Sequence, residues 1–148
     1  MLTPATEPVL LTCAILDDDE INRLTLEHYV EQSGVLRLEA SLVGSVEGLS
    51  FFSTGRRVDV LFLDVEMPDL NGLDMLRLLP EPPHVVLTTA HENFAWEAFE
   101  LRVADYLVKP FEYERFMQAV CRVRELGPAG PNPAATNKFL LPGSEFLR

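Results

Sequence analysis

The chain has 148 residues, 47% of them hydrophobic and 24% charged, a length and balance that suit one soluble domain with its own core. Its formal net charge of −11 argues against gripping nucleic acid unaided, because that affinity comes from Lys and Arg neutralising phosphates. No apolar run approaches the about 20 residues needed to cross a bilayer, residues Met1 to Pro8 lack the basic start and apolar stretch of a signal peptide, and no Cys/His spacing suggests zinc. Cys13 lies in an apolar run and Cys121 in a late helical pattern. Both read as small core hydrophobes, which suits a reducing cytoplasm.

Leu10 to Leu16 is a nearly continuous apolar run and reads as a fully buried strand. Glu20 to Gln32 carries Ile21, Leu24, Leu26, Tyr29 and Val30 at helical spacing, and Ser33-Gly34 stops it. Leu36 to Val43 alternates as Leu36, Leu38, Ala40 and Leu42, the period of a strand. Ser45 offers an N-cap for a short helix through Phe52, ended by Gly55. Val58 to Leu63 is the third strand, and Pro68 to Gly72 a turn cluster. A helix is expected over Leu73 to Leu79, with Leu73, Leu76 and Leu79 on one face, then a strand over Val85 to Thr89. A helix over Asn93 to Leu101 aligns Phe94, Ala98 and Leu101; Tyr106 to Val108 is a fifth strand, and Glu112 to Leu126 a last helix with Phe116, Val120 and Val123 spaced for burial. Five repeats of strand then helix imply a parallel sheet covered on both faces, with right-handed crossovers. The expected organisation is an N-terminal extension over 1–9, one domain over 10–126, and a Pro/Ala/Gly-rich segment over 127–148 that starts as a linker and ends in a truncated following domain or added residues.

The strand ends carry the chemistry. The first apolar run closes in Asp17-Asp18-Asp19, the third in Asp64, the fourth in Thr88-Thr89-Ala90 and the fifth in Lys109-Pro110. In an open parallel sheet, ligands bind just beyond the carboxyl ends of the strands. Carboxylates gathered there repel one another and need protons or a hard cation; Mg²⁺ takes a few carboxylate oxygens and keeps several waters. An ionised Asp is also a nucleophile toward phosphorus. Lys109 would supply a point charge, and Thr89 a hydroxyl donor, to phosphoryl oxygens. Thr88 reads as an ordinary β-branched strand residue. His84 and His91 read as structural or solvent-facing.

These motifs carry a resemblance. Leu16 to Asp19, Phe62 to Leu73, Thr88 to Ala90 and Tyr106 to Phe111 resemble the CheY-like receiver domain of two-component response regulators, in order and in spacing. The resemblance implies a flavodoxin-like (βα)5 sheet of strand order 2-1-3-4-5 and phosphorylation of Asp64 by the phosphohistidine of a sensor histidine kinase. It implies Mg²⁺ held by Asp18, Asp64 and the Glu66 backbone carbonyl with Asp17 in support, Thr89 and Lys109 acting on the phosphoryl group, and Thr89 with Tyr106 as the switch. The family also has a cis bond before the proline that Pro110 matches. Leu87 to Ala95, Ala98 to Glu100, Ala104 to Leu107 and Glu114 to Phe116 further resemble receivers that precede LytTR-type DNA-binding domains. That implies DNA contact only through a C-terminal domain outside this sequence. The cysteine usage suits a cytoplasmic location, no membrane partner and no enzymatic turnover are expected, and mixed charges at Glu97, Glu100, Arg102 and Asp105 beside Phe94, Trp96, Phe99 and Tyr106 suit a homodimer on activation. Three consecutive Asp leave a slip open, with Asp18 and Asp19 as the acidic pair instead of Asp17 and Asp18. Two other classes stay in view: a pseudo-receiver that only dimerises, and a haloacid-dehalogenase-like phosphatase, whose second Asp two positions after the nucleophile is Glu66 here.

Overall fold

The computed structural model describes residues 10–129. The N-terminal extension and most of the Pro/Ala/Gly-rich segment lie outside these residues. The elements alternate in chain order: β1 Leu11–Leu16, α1 Glu20–Ser33, β2 Leu36–Leu42, α2 Ser45–Ser53, β3 Val60–Asp64, α3 Gly72–Leu78, β4 His84–Thr89, α4 Ala95–Glu100, β5 Asp105–Val108 and α5 Tyr113–Leu126. The strands form one parallel sheet in the order β2-β1-β3-β4-β5. Chain direction reverses its march across the sheet between β1 and β3, so the carboxyl ends of those two strands flank the natural crevice of the fold.

Each central strand buries both faces, which is why Cys13 to Leu16 of β1, Val60 to Leu63 of β3 and Val85 to Leu87 of β4 are apolar without alternation. Ala14, Leu16, Leu61, Leu63, Val85 and Leu87 face one core, closed by Phe51 of α2, Leu73, Met75 and Leu76 of α3 and Ala98 of α4. Cys13, Ile15, Val60, Phe62, Val86 and Leu107 face the other, closed by Leu26 and Val30 of α1 and by Phe116, Ala119, Val120 and Val123 of α5. Leu79 is buried as the helical spacing required, although α3 ends one residue before it.

Four local expectations are corrected. Ser45 does not cap α2. The cap position is Gly44, which makes no side-chain hydrogen bond, and Ser45 is the first helical residue, its Oγ buried without a partner among the described residues. The alternation of β2 breaks at Glu39: Cys13 pairs with Leu38 but Ala14 with Ala40, so a bulge puts Leu36 in one core and Ala40 and Leu42 against the other. Helix α4 is shorter than its pattern, because Phe94 only precedes it without a capping side chain and Arg102 just beyond it takes a left-handed φ of 56°. Cys121 is exposed on α5, while Cys13 is buried, and burial, aided by the charge of Glu39, pushes its thiol up to about 12.

Candidate functional site

The carboxyl ends of β1, β3, β4 and β5 converge. Backbone hydrogen bonds splice the loops that leave them: Val65 N–H donates to the Thr88 carbonyl at 2.9 Å and Lys109 N–H to the Thr89 carbonyl at 2.7 Å. Asp64 pairs in register with Thr88 on β4. The Gly72 N–H donates to the Val65 carbonyl at 2.7 Å, drawing the start of α3 against the end of β3. A Cβ at Gly72 would run into the Asp64 carbonyl oxygen, so this close approach needs glycine.

Asp17, Asp18 and Asp64 bring one carboxylate oxygen each within 4.8 Å of one another. Asp17 and Asp64 are buried and Asp18 is exposed. Asp19 stands apart, because its carboxylate serves as the N-cap of α1: it accepts from Ile21 N–H at 3.0 Å and from Asn22 Nδ2 at 3.1 Å. Lys109 reaches in from the end of β5, and its Nζ lies 2.9 Å from Asp17 Oδ2 and 3.3 Å from Asp64 Oδ1. The peptide bond from Lys109 to Pro110 is cis.

The electrostatics follow from burial. Asp64 is 4% exposed, and its carboxyl is pushed up to about 7, first by burial and then by the Asp17 charge. The Lys109 charge and hydrogen bond, and the Glu66 N–H, act against that rise. Burial works against the Lys109 ammonium, but Asp17 and Asp64 outweigh it and hold its pKa above the ordinary value. Asp64 Oδ1 receives Glu66 N–H at 3.3 Å as well as Lys109, while its Oδ2 receives no hydrogen bond from the described residues. This buried carboxylate thus has one oxygen held by donors and one that meets none among the described residues. Three carboxylates at one end of a sheet, only partly neutralised by one lysine, are the hard oxygen donor set that suits Mg²⁺.

Thr89, at the end of β4, donates through Oγ1 to Glu66 Oε1 at 3.4 Å and accepts from His91 N–H at 3.1 Å. His91 Nε2 lies 2.8 Å from Glu66 Oε2. This Glu66–His91 pair is the element that the sequence did not reveal, since residues 25 apart carry no local signal of contact. Tyr106 on β5 is half-buried against the core of α2, α3 and α4. Its hydroxyl donates to the His91 carbonyl at 2.7 Å and accepts from Phe94 N–H at 3.2 Å, so it fastens the loop that follows Thr89. Thr88 Oγ1 is buried without a partner among the described residues.

Residues 13–121 match the response regulator receiver domain. The chain belongs to this family. Its relatives include the sensory transduction protein LytR of Staphylococcus haemolyticus, 38% identical over 117 residues that cover 74% of this chain and 44% of the relative. Another is the transcriptional regulatory protein BtsR of Escherichia coli K12, 33% identical over 118 residues that cover 78% of this chain and 49% of the relative. Both names accord with a receiver of the LytTR-type subfamily. The chain spans about half the length of the curated relatives it matches. The response regulatory domain of protein mrkE from Klebsiella pneumoniae superimposes with a TM-score of 0.71 at 24% identity, over 78% of this chain and 97% of that one, and shows the same flavodoxin-like fold. Among the described residues of this receiver domain, no helix is long and apolar enough to cross a membrane.

Proposed function

We propose that this receiver domain is switched by phosphorylation of Asp64, with the phosphoryl group taken from the phosphohistidine of a sensor histidine kinase. The observation that carries the reading is the buried bridge from Lys109 Nζ to both Asp17 and Asp64, at the mouth where Thr89 also ends its strand. Asp64 Oδ2 forms the bond to phosphorus as the bond from phosphorus to the imidazole nitrogen breaks. Oδ1, held by Lys109 and the Glu66 N–H, fixes the carboxylate plane for that attack. Lys109 then follows charge from the carboxylate to a phosphoryl oxygen, and the Thr89 hydroxyl exchanges Glu66 Oε1 for another.

Asp18, Asp64 and the Glu66 backbone carbonyl would hold Mg²⁺, with Asp17 orienting the set. The metal supplies positive charge that offsets the carboxylates and the incoming phosphoryl oxygens. Since Asp19 spends its carboxylate on capping α1, the acidic pair is Asp17 and Asp18 in this reading. The open Oδ2 and the three-carboxylate cluster favour an active receiver over one that only dimerises.

Output runs through the loop fastened by Tyr106. Movement of Thr89 toward a phosphoryl group pulls on His91, whose carbonyl and N–H tie it to both Tyr106 and Thr89. The face of α4, β5 and α5 would then change shape. That face exposes Trp96 at 66% and Phe99 at 75%, their rings stacked with centroids 6.0 Å apart, beside Glu97, Glu100 and Arg102. An apolar pair rimmed by mixed charge suits a two-fold contact, so phosphorylation promotes a homodimer, and a DNA-binding domain outside these residues is brought to paired half-sites in the cytoplasm. Mass spectrometry after treatment with acetyl phosphate and Mg²⁺ tests the chemistry: the wild type gains one phosphoryl group and Asp64→Asn none. Labelling of Asp64→Asn to the wild-type extent refutes it. Sedimentation with a beryllofluoride mimic tests the output, which fails if the protein stays monomeric or if Arg102→Glu leaves the dimer unaltered.

A further inference from the structure

The edge of the sheet opposite Asp64, where the strands begin, carries a groove of about 430 Å³ that nothing in the phosphorylation chemistry uses. Its walls are the approaches to β3 and β4: Arg56, Arg57 and Val58 on one side, and Glu81, Pro82 and Pro83 on the other. The walls are braced. Arg57 Nη2 lies 2.6 Å from Glu81 Oε1 and joins the two loops, while the Arg56 guanidinium lies 4.3 Å over the Phe51 ring. A second groove of about 480 Å³ shares Phe52, Arg56, Arg57 and Glu81 with the first and leads on past Leu78, which is exposed.

The chain enters this groove as it leaves α5. Gly127 takes a left-handed φ of 76°, a turn that favours glycine, and its carbonyl accepts from His84 Nε2 at 2.6 Å, with the ring proton on that nitrogen. His84 opens β4, so the bond ties the exit of the last helix to the base of the sheet. Pro128 and Ala129 then line the groove themselves. The next residues are Gly130-Pro131-Asn132-Pro133-Ala134-Ala135. Their prolines favour the extended polyproline conformation, which docks on flat aromatic and proline surfaces without paying much ordering entropy. An extended polyproline stretch rises about 3.1 Å per residue, so six residues in that form would span about 19 Å.

We propose that residues 130–135 of this chain dock in the groove between the approaches to β3 and β4, guided there by the His84–Gly127 clasp. The basal groove is thus the seat of the outgoing linker and fixes where any following segment departs, on the edge away from Asp64. The inference stands on the groove and the clasp and does not depend on phosphorylation. Its test is paramagnetic broadening in the full 148-residue chain. A nitroxide at Asn132→Cys in a Cys121→Ser background, diluted into unlabelled protein, should broaden the amides of Phe52, Arg56, Arg57, Val58 and Glu81 severalfold more than those of Asp18 and Ala90. His84→Ala should spread that broadening out, and Glu81→Ala, which leaves β4 untouched, should do the same. Even broadening around the base of the sheet, or a pattern that both variants leave intact, overturns the proposal. So does a label at Ala5→Cys that marks the groove while Asn132→Cys does not, which would give it to the N-terminal segment. Broadening that passes from labelled to isotope-labelled molecules in a mixture would give it to a second copy, and also overturns the proposal.

Discussion

Replacing Asp64 with Asn removes the reactive carboxylate and should also stabilise the metal-free protein. The Asp64 carboxyl is pushed up to about 7 from an ordinary 3.8 because burial and Asp17 oppose its charge. A rise of about three pH units at 1.36 kcal/mol each sets a ceiling of roughly 4 kcal/mol on the strain of keeping it ionised. Asn keeps the shape and an Oδ1 that can accept from Glu66 N–H and Lys109, but it removes the negative charge facing Lys109, which retains Asp17 at 2.9 Å. The net gain expected at pH 8 is therefore about 1–3 kcal/mol, or about 3–9 °C in Tm for a chain of this size. The sign with pH follows from linkage. A carboxyl raised in the folded state binds its proton more tightly there, so the wild type carries its full penalty above pH 7 and sheds it as pH falls toward 4. Thermal unfolding in EDTA from pH 8 to pH 5 should show the Asn advantage shrink with acidity. Added Mg²⁺ should raise the Tm of the wild type and not of the variant. An Asn variant less stable than the wild type at pH 8, or an advantage unchanged at pH 5, refutes the account of a strained acidic cluster.

Further outcomes separate neighbouring residues. Asp19→Ala should cost about 1 kcal/mol in thermal stability through the lost cap of α1 yet leave phosphoryl uptake intact, whereas Asp18→Ala should weaken Mg²⁺ binding and labelling, as read by calorimetry and mass spectrometry. Gly72→Ala should destabilise by about 1–3 kcal/mol in urea unfolding, because its Cβ displaces the carbonyl of Asp64. Tyr106→Phe loses both hydrogen bonds to the loop of residues 91–94 and should speed amide exchange there, with a stability cost of about 1–2 kcal/mol.

The sequence by itself determined the alternation of strands and helices and the strand ends that carry chemistry. Continuous apolar runs such as Leu61-Phe62-Leu63 report burial on both faces, and the acids, threonine and lysine that close them are local features of the chain. The order of Asp17, Asp64, Thr89 and Lys109 together with the turn at Gly72 was legible for the same reason. Tertiary structure decided what depends on distant partners. The bulge at Glu39 arises from pairing with β1, and a period of two within β2 cannot reveal it. Asp17, Asp18 and Asp19 are chemically identical in sequence; only the start of α1 takes Asp19 for a cap and only the reach of Lys109 takes Asp17. Cys121 has helical neighbours suited to burial, but its own side of α5 meets solvent. The Glu66–His91 pair joins two loops, and the His84–Gly127 clasp joins the start of β4 to the exit of α5; both form only once the crossovers are made. Periodicity encodes which face is buried, while the identity of the neighbour across a loop is set by the packing of the whole sheet.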